Sequence, residues 1–541
     1  MGRSEKKAEL RSSLQPPDEV SHSPQPVEST QQWERPSAFA AVGAEPGALR
    51  PGIRRGLIWK GSSQALSQVV RLIMTLVFAR VLAPHDYGLV SMALVFAGVM
   101  FVFTDFALGT ALVQRSQLSE EDRSTAFWCT VALGGMCSVV GLAVAGPVAA
   151  FYGEPRIRLL FAVLAIGFFI SSLGATHSAL LTRAMDFRSL EIAAMAGTVA
   201  GATAGIAAAV GGAGPWAIVL QQFVTVTVLV TMLWHFSPWR PRLVVSWASL
   251  RSLAGFSANL VGTRLCFYCF RNVDNLLVGR FLGAAPLGLY ALAYTIALAP
   301  VGRVVDPIRE VLFPVLARIQ DDRVRVVGVW LRASALAAAF VVPAMLGLAV
   351  VAPDLVPTLL GARWESAVPV VQILALVGAL QSFTVLNSVV LPAIDRTSTL
   401  MRAAVATVAL SVAGFAIGLH WGIVGVAIGY AAANVVIVPL YMGLTARALG
   451  TRLADVVPAF LPGLTAAGLM VGATVTTRLL LERIGLPASS RAGLVVVVGI
   501  ATIVFAWRRL VPELISEFGR LSGRGTARTR ERIAAEAATS L

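Results

Sequence analysis

From Leu57 onward the chain is a succession of long apolar stretches joined by short polar connections, and no other feature constrains its fold as much. About 20 apolar residues carry a helix across the ~30 Å hydrocarbon core of a bilayer. In lipid every backbone amide must bond within its own segment, so such stretches fold as helices. Fourteen are counted, at 57–82, 89–113, 125–149, 157–181, 190–210, 214–235, 252–279, 286–302, 329–352, 366–391, 398–418, 421–444, 455–477 and 490–510. The expected fold is therefore an all-α integral membrane protein with about 14 transmembrane helices.

Composition agrees. Hydrophobic residues make up 56% of the 541 and charged residues 13%, against about 25% charged in soluble domains. That leaves no polar coat for a soluble enzyme or binding module. The formal net charge of +15, 44 Lys+Arg against 29 Asp+Glu, would point to nucleic acid in a soluble protein. In a membrane protein it marks cytoplasmic loops, so nucleic acid is not an expected partner.

Basic residues set the orientation. With the N-terminus inside and the two tails left out, inner connections hold 16 Lys and Arg against 8 in outer ones. An even span count then puts both termini in the cytoplasm. The ten Trp residues beyond the N-terminal tail sit near span ends, as an interfacial belt would place them. The longest connection, Arg303 to Val329, has about 27 residues, too few for a folded extramembrane domain. Residues 1–55, rich in Pro, Ser, Gln and Glu, read as a disordered cytoplasmic tail, and 511–541 as a second one. Four cysteines (Cys129, Cys137, Cys266, Cys269) lie in apolar stretches without disulfide or zinc spacing and read as small buried residues.

The chain also repeats itself at an offset of 200 residues. ARVLAPHDYGLVSMALVF from Ala79 aligns with GRFLGAAPLGLYALAYTI from Gly279, pairing Arg80 with Arg280, Gly88 with Gly288 and Ala93 with Ala293. Carried back without a gap, the alignment pairs Arg71 with Arg271. Both copies enter from the same side, which implies two parallel, pseudo-symmetric six-helix lobes, 56–250 and 251–447, with accessory helices 13 and 14 in 448–510. Parallel repeats of this kind build transporters whose substrate path runs between the halves.

NVDNLLVGRFLGAAPLGLYALAY, TDFALGTALVQR and FPVLARIQDD resemble polysaccharide transporters of the Wzx/WzxC type, within the multidrug/oligosaccharidyl-lipid/polysaccharide exporter superfamily. The resemblance covers roughly residues 55–510. It implies a bacterial inner-membrane flippase, not an enzyme, that translocates undecaprenyl-pyrophosphate-linked oligosaccharide for exopolysaccharide, O-antigen or capsule assembly. It implies no cofactor beyond an H+ or Na+ gradient, and as partners the lipid-linked substrate, membrane lipids and polysaccharide polymerase or export machinery.

Charges at bilayer depth are costly and are functional suspects. Arg71 lies nine residues before Arg80, about 13.5 Å along a helix and near mid-membrane. Arg271 has the same depth in span 7, and Arg264 lies two turns below it. A guanidinium stays charged and matches phosphate oxygens bidentately, so these three are the candidates for pyrophosphate. Structural ion pairs, Arg71 with Asp105 or Arg271 with Asp274, are the competing reading. Asn259, Asn272 and Asn275 are candidates for sugar hydroxyls or for interhelical hydrogen bonds. Asp105 and Asp274 are candidates for ion coupling or for salt bridges to arginine.

Neither a Walker A motif nor HExxH occurs. An ion-coupled multidrug antiporter of the same superfamily is the alternative, disfavoured by the basic intramembrane balance. A glycan polymerase or ligase would need a large outer loop, and the widest here has about 15 residues. A scaffold protein would leave the buried arginines unexplained.

Overall fold

A computed structural model describes residues 51–106, 112–113, 118–247, 265, 268–269 and 271–510. All its regular elements there are helical. The first six long helices are α1 (Pro51–Val81), α2 (Pro84–Phe106), α3 (Glu120–Tyr152), α4 (Ile157–Arg183), α5 (Phe187–Val210) and α6 (Trp216–Phe236). After α7 (Val273–Leu282) come α8 (Ala284–Arg318), α9 (Arg323–Leu360), α10 (Val368–Gln381), α11 (Asn387–Ala393), α12 (Thr397–Gly418) and α13 (Gly422–Leu449). The last two are α14 (Leu461–Arg483) and α15 (Ala488–Leu510).

Ten stretches of the described residues are long and apolar enough to cross a membrane, and one of them, Thr397–Leu449, holds two helices. The count of fourteen is therefore not reached among the described residues. Span 7 in particular is described only in part.

Local chemistry sets the helix boundaries. Ser119 accepts from the Asp122 amide at 3.0 Å and Asp122 returns a bond to the Ser119 amide at 3.2 Å, a capping box that starts α3. Gly153 (φ 72°) and Gly450 (φ 78°) close α3 and α13 in the left-handed conformation glycine tolerates.

Several expectations change. Pro51 starts α1, so the helix begins inside the stretch read as a disordered tail; proline suits a first turn, where its missing N–H has no partner anyway. The 27-residue connection is largely helix. α8 runs on through Pro300, Pro307 and Pro314 to Arg318, and α9 starts at Arg323. A proline forfeits one backbone bond and bends a helix, which neighbouring helices can accommodate. Trp330 and Trp364 are fully buried packing anchors, not belt residues: Trp330 donates to Asn387 Oδ1 at 3.0 Å. Cys137 is buried and Cys269 exposed, so the cysteines do not share one environment.

Helices α2–α6 pack against one another, as do α8–α13, with α14 and α15 against α9. The two groups meet asymmetrically. At one end a single buried cluster runs through both, from Ala79, Leu89, Ala93 and Tyr152 to Leu287, Val356, Trp364 and Val426. Towards the other end the described buried clusters each belong to one group. One holds Leu181, Ala193 and Leu233, and another Leu312, Leu316, Val326 and Val390.

The crossing of α2 and α8 makes the shared end possible. A Cβ on Gly88 would strike the Ala284 carbonyl, and one on Gly288 would strike the Pro84 carbonyl. The two glycines paired by the repeat thus both lie where the backbones of α2 and α8 approach closely, a small-residue contact of the kind that brings membrane helices together.

Candidate functional site

Three features carry charge or hydrogen bonding where the two helix groups meet or face each other. The first is a cross-capped pair of helix ends. The last carbonyls of any helix lack intrahelical partners. Here α1 and α9 supply each other's. Arg80, in the last turn of α1, donates to the Leu359 carbonyl at 2.6 Å and to that of Thr358, both in the last turn of α9. In return, Trp364 donates its indole N–H to the Ala79 carbonyl at 2.7 Å, and Arg363 reaches the Val81 and Leu82 carbonyls at 3.3 Å. Cations at helix C-termini also complement the macrodipole. Tyr87 closes the arrangement edge-on against Trp364, ring centroids 5.3 Å apart.

The second is α1 below this latch. Val69, Arg71, Leu72 and Ile73 are all exposed, so the middle of α1 stands largely clear of its neighbours. Arg71 Nη2 contacts Gln68 Oε1 at 3.4 Å. The side chain of Asp105, in the last turn of α2, and with it the expected Arg71–Asp105 pair, lies outside the described residues, as do Arg264 and Asn259.

The third is a break in span 7 and the polar cluster behind it. Arg271 and Asn272 lie where the chain leaves helical geometry before α7 begins at Val273, with Asn272 at φ −119° and ψ 8°. The Asn272 side chain donates to the Tyr268 carbonyl at 2.9 Å, occupying its amide with the break itself. Arg271 is exposed and lies against the Tyr294 hydroxyl. No ion pair joins it to Asp274 among the described residues. The break takes the two out of the helical i,i+3 register, and the Asp274 carboxylate instead accepts from the Tyr290 hydroxyl at 3.1 Å and the Asn275 amide at 2.8 Å. Asp274 is 3% exposed, and the side-chain oxygen of neighbouring Asn275 is buried with no protein partner.

Behind Asp274 the cluster continues through residues that sequence reasoning missed. Tyr294 follows Tyr290 by one turn on α8. Gln381 donates to the Tyr430 hydroxyl at 2.7 Å, and its amide lies 3.4 Å from Asn434 Oδ1. The signal available was the i,i+4 tyrosine pair in LGLYALAY and the polar pair in YAAAN within an otherwise apolar stretch. The structure thus brings Arg271, Asn272, Asp274 and Asn275 together on one break.

A family profile described as "Polysaccharide biosynthesis protein" matches residues 77–369, more than half of the chain. The chain belongs to this polysaccharide biosynthesis protein family. The family match takes in Arg80, Gly88, Asp274, Tyr290 and Trp364, and leaves Arg71, Tyr430 and Asn434 outside.

Among family relatives, the lipopolysaccharide biosynthesis protein WzxC of Escherichia coli is 28% identical over 62% of this chain and 68% of its own length. The succinoglycan biosynthesis transport protein ExoT of Rhizobium meliloti is 26% identical over 60% and 66%. The teichuronic acid biosynthesis protein TuaB of Bacillus subtilis is 28% identical over 52% and 58%. The chain thus spans about two thirds of the first two relatives and less of the third.

In fold, the chain is similar to the lipid II flippase MurJ in an inward closed conformation, with TM-score 0.68, 15% identity, and coverage of 85% of this chain and 100% of that one. It is also similar to an inward-facing multidrug resistance MATE transporter, with TM-score 0.57, 15% identity, and coverage of 74% and 94%. At that identity the likeness is one of fold alone, an all-α helical membrane architecture.

Proposed function

We propose that this protein flips undecaprenyl-pyrophosphate-linked oligosaccharide across the bacterial cell membrane for polysaccharide assembly, by alternating access. One observation carries the mechanism. Among the described residues the two helix groups share a buried core at one end, and the same end is cross-capped through Arg80, Arg363 and Trp364. In a two-lobed transporter this is the arrangement of a path closed at one face. The excess of Arg and Lys in connections at the opposite end supports reading the latched face as the outer one and both termini as cytoplasmic.

The roles follow from chemistry. Unpaired pyrophosphate in hydrocarbon would cost tens of kcal/mol. In this reading Arg71 and Arg271, each nine residues before the arginine at its span end and so about 13.5 Å from it by helical rise, carry that charge, together with Arg264, seven residues before Arg271 in the sequence. Asn259, Asn272 and Asn275 would meet sugar hydroxyls, Asn275 with a buried oxygen that has no protein partner and Asn272 with one amide N–H committed to the Tyr268 carbonyl. Asp274, dry and held by Tyr290, and Asp105 are the proposed coupling carboxylates for an H+ or Na+ gradient. The lipid tail stays in the bilayer while the headgroup passes between the groups. A polymerase or export complex would receive it outside. The lobes are taken as 56–250 and 251–447.

The test uses a strain lacking this protein. Lipid-linked oligosaccharide is expected to accumulate facing the cytoplasm while the surface polymer disappears. Wild type should reverse this, and an equally expressed Arg71→Gln/Arg271→Gln variant should not. An unchanged lipid-linked pool with raised drug sensitivity would instead identify the antiporter. Full rescue by the double variant would remove the arginines from the mechanism and leave the flippase class standing.

A further inference from the structure

The α13–α14 junction holds a cavity whose lining includes none of the residues assigned above to the transport site. It has a volume of about 420 Å3 and lies between the last turns of α13 and the chain that leaves it, with Leu440, Leu444 and Leu453 as apolar wall and Arg447, Thr451 and Arg452 at its mouth. On the other flank of the same final turn a second, small polar notch is lined by Gln320, Arg323 and Arg396 together with Ala448 and Leu449. Four arginines from three connections, Arg323 after α8, Arg396 before α12, and Arg447 and Arg452 at the end of α13, therefore converge on one helix end.

Arg123, Arg309, Arg478 and Arg491 form ion pairs with carboxylates, and none of the four arginines at this helix end does so among the described residues. Two neighbouring carboxylates serve the backbone: Asp455 accepts from the Arg452 amide at 3.3 Å, and Asp322 from the Arg325 amide at 3.0 Å.

The cavity has the polarity of an amphiphile. Leu440 lies seven residues before Arg447, about 10 Å deeper along the helix, so a charged mouth leads into an apolar trough that runs towards the hydrocarbon. Gly443 keeps the trough open, since a Cβ there would meet nothing within 4 Å. Basic pockets at helix ends on the cytoplasmic side suit anionic headgroups, and guanidinium groups match phosphate oxygens in geometry.

We infer that this junction is a binding site for an anionic phospholipid of the inner leaflet, with its phosphate on Arg447 and Arg452 and one acyl chain over Gly443. Only the choice of leaflet rests on the orientation proposed above. The readout below is binding, so its failure is distinguishable from a failure of the transport reading. Arg323 and Arg396 raise the positive potential at the mouth without being required as direct contacts.

The experiment is native mass spectrometry of the full-length protein, delipidated in detergent and mixed in turn with phosphatidylglycerol, phosphatidylcholine and undecaprenyl phosphate. Phosphatidylglycerol should be retained and phosphatidylcholine should not. Retention should fall at least fivefold in Arg447→Gln/Arg452→Gln, and equally in Gly443→Leu, which fills the trough without touching the charges or the fold. Equal retention in wild type and both variants overturns the site. So does equal retention of phosphatidylcholine. Retention of undecaprenyl phosphate alone overturns the phospholipid assignment in favour of the substrate carrier.

Discussion

The indole N–H of Trp364 donates to the Ala79 carbonyl across 2.7 Å, joining the turn after α9 to the last turn of α1 over a sequence separation of 285 residues. Both partners are fully buried. The bond satisfies a helix-end carbonyl that would otherwise have neither water nor an intrahelical donor, and the loss of such a partner costs about 1–3 kcal/mol. The bonds of Arg80 and Arg363 beside it are more exposed and contribute less each.

Removing this latch should bias the protein towards an outward-open state. In Trp364→Phe combined with Arg80→Gln, a cysteine placed at Leu82 should react several times faster with a membrane-impermeant maleimide added outside. Unchanged labelling would show that the shared core alone holds this end shut.

Gly88 and Gly288 allow no side chain at the α2–α8 crossing, because a Cβ would enter the Ala284 or Pro84 carbonyl. Each alanine substitution should sharply reduce surface polymer, by tenfold or more, and lower folded yield. Gly468→Ala, where a Cβ meets nothing within 4 Å, should leave both unchanged. If Gly88→Ala transports normally, the crossing is looser than its backbone contacts indicate.

Tyr290→Phe removes one of two donors to Asp274 in a dry site. An unsatisfied buried acceptor costs about 1–3 kcal/mol, so the midpoint of thermal unfolding in detergent should fall by several degrees. Asp274→Asn tests the separate coupling role. A flux that no longer responds to collapse of the H+ or Na+ gradient, in protein of normal yield, supports it, and a full gradient response in the variant removes it.

Asp354 holds the two accessory helices to α9. Its carboxylate, 1% exposed as a residue, accepts from Arg478 Nε at 2.7 Å and from Arg491 Nη2 at 2.6 Å. Deleting one member of a buried ionic cluster strands the others at a cost of about 3 kcal/mol. Asp354→Ala should therefore expose the connections around α14 and α15 to protease while α2–α6 remain protected. A digestion pattern like wild type would show that apolar packing at Ala466, Met470 and Ile503 suffices.

Hydropathy made the helices and their rough boundaries legible, because crossing a membrane imposes a length and an apolarity that any one stretch must meet alone. The 200-residue repeat went further: it named Gly88 and Gly288 as a pair before their contact was known. What it could not convey is that they pack against each other's helices.

The remaining features depend on partners far apart in the chain. Arg80 and Trp364 bond to backbone carbonyls, and a carbonyl is the same at every residue, so no residue type marks the acceptor. The Arg271–Asp274 spacing suggested an ion pair only while span 7 was taken as an unbroken helix; the break at Asn272 turned the carboxylate to Tyr290 on another helix. Hydropathy and the internal repeat were enough to read an all-α membrane protein from the residues in order. Packing settled where the two helix groups share a core, which carboxylate is buried and which arginines form ion pairs, since those depend on the meeting of helices that local periodicity does not encode.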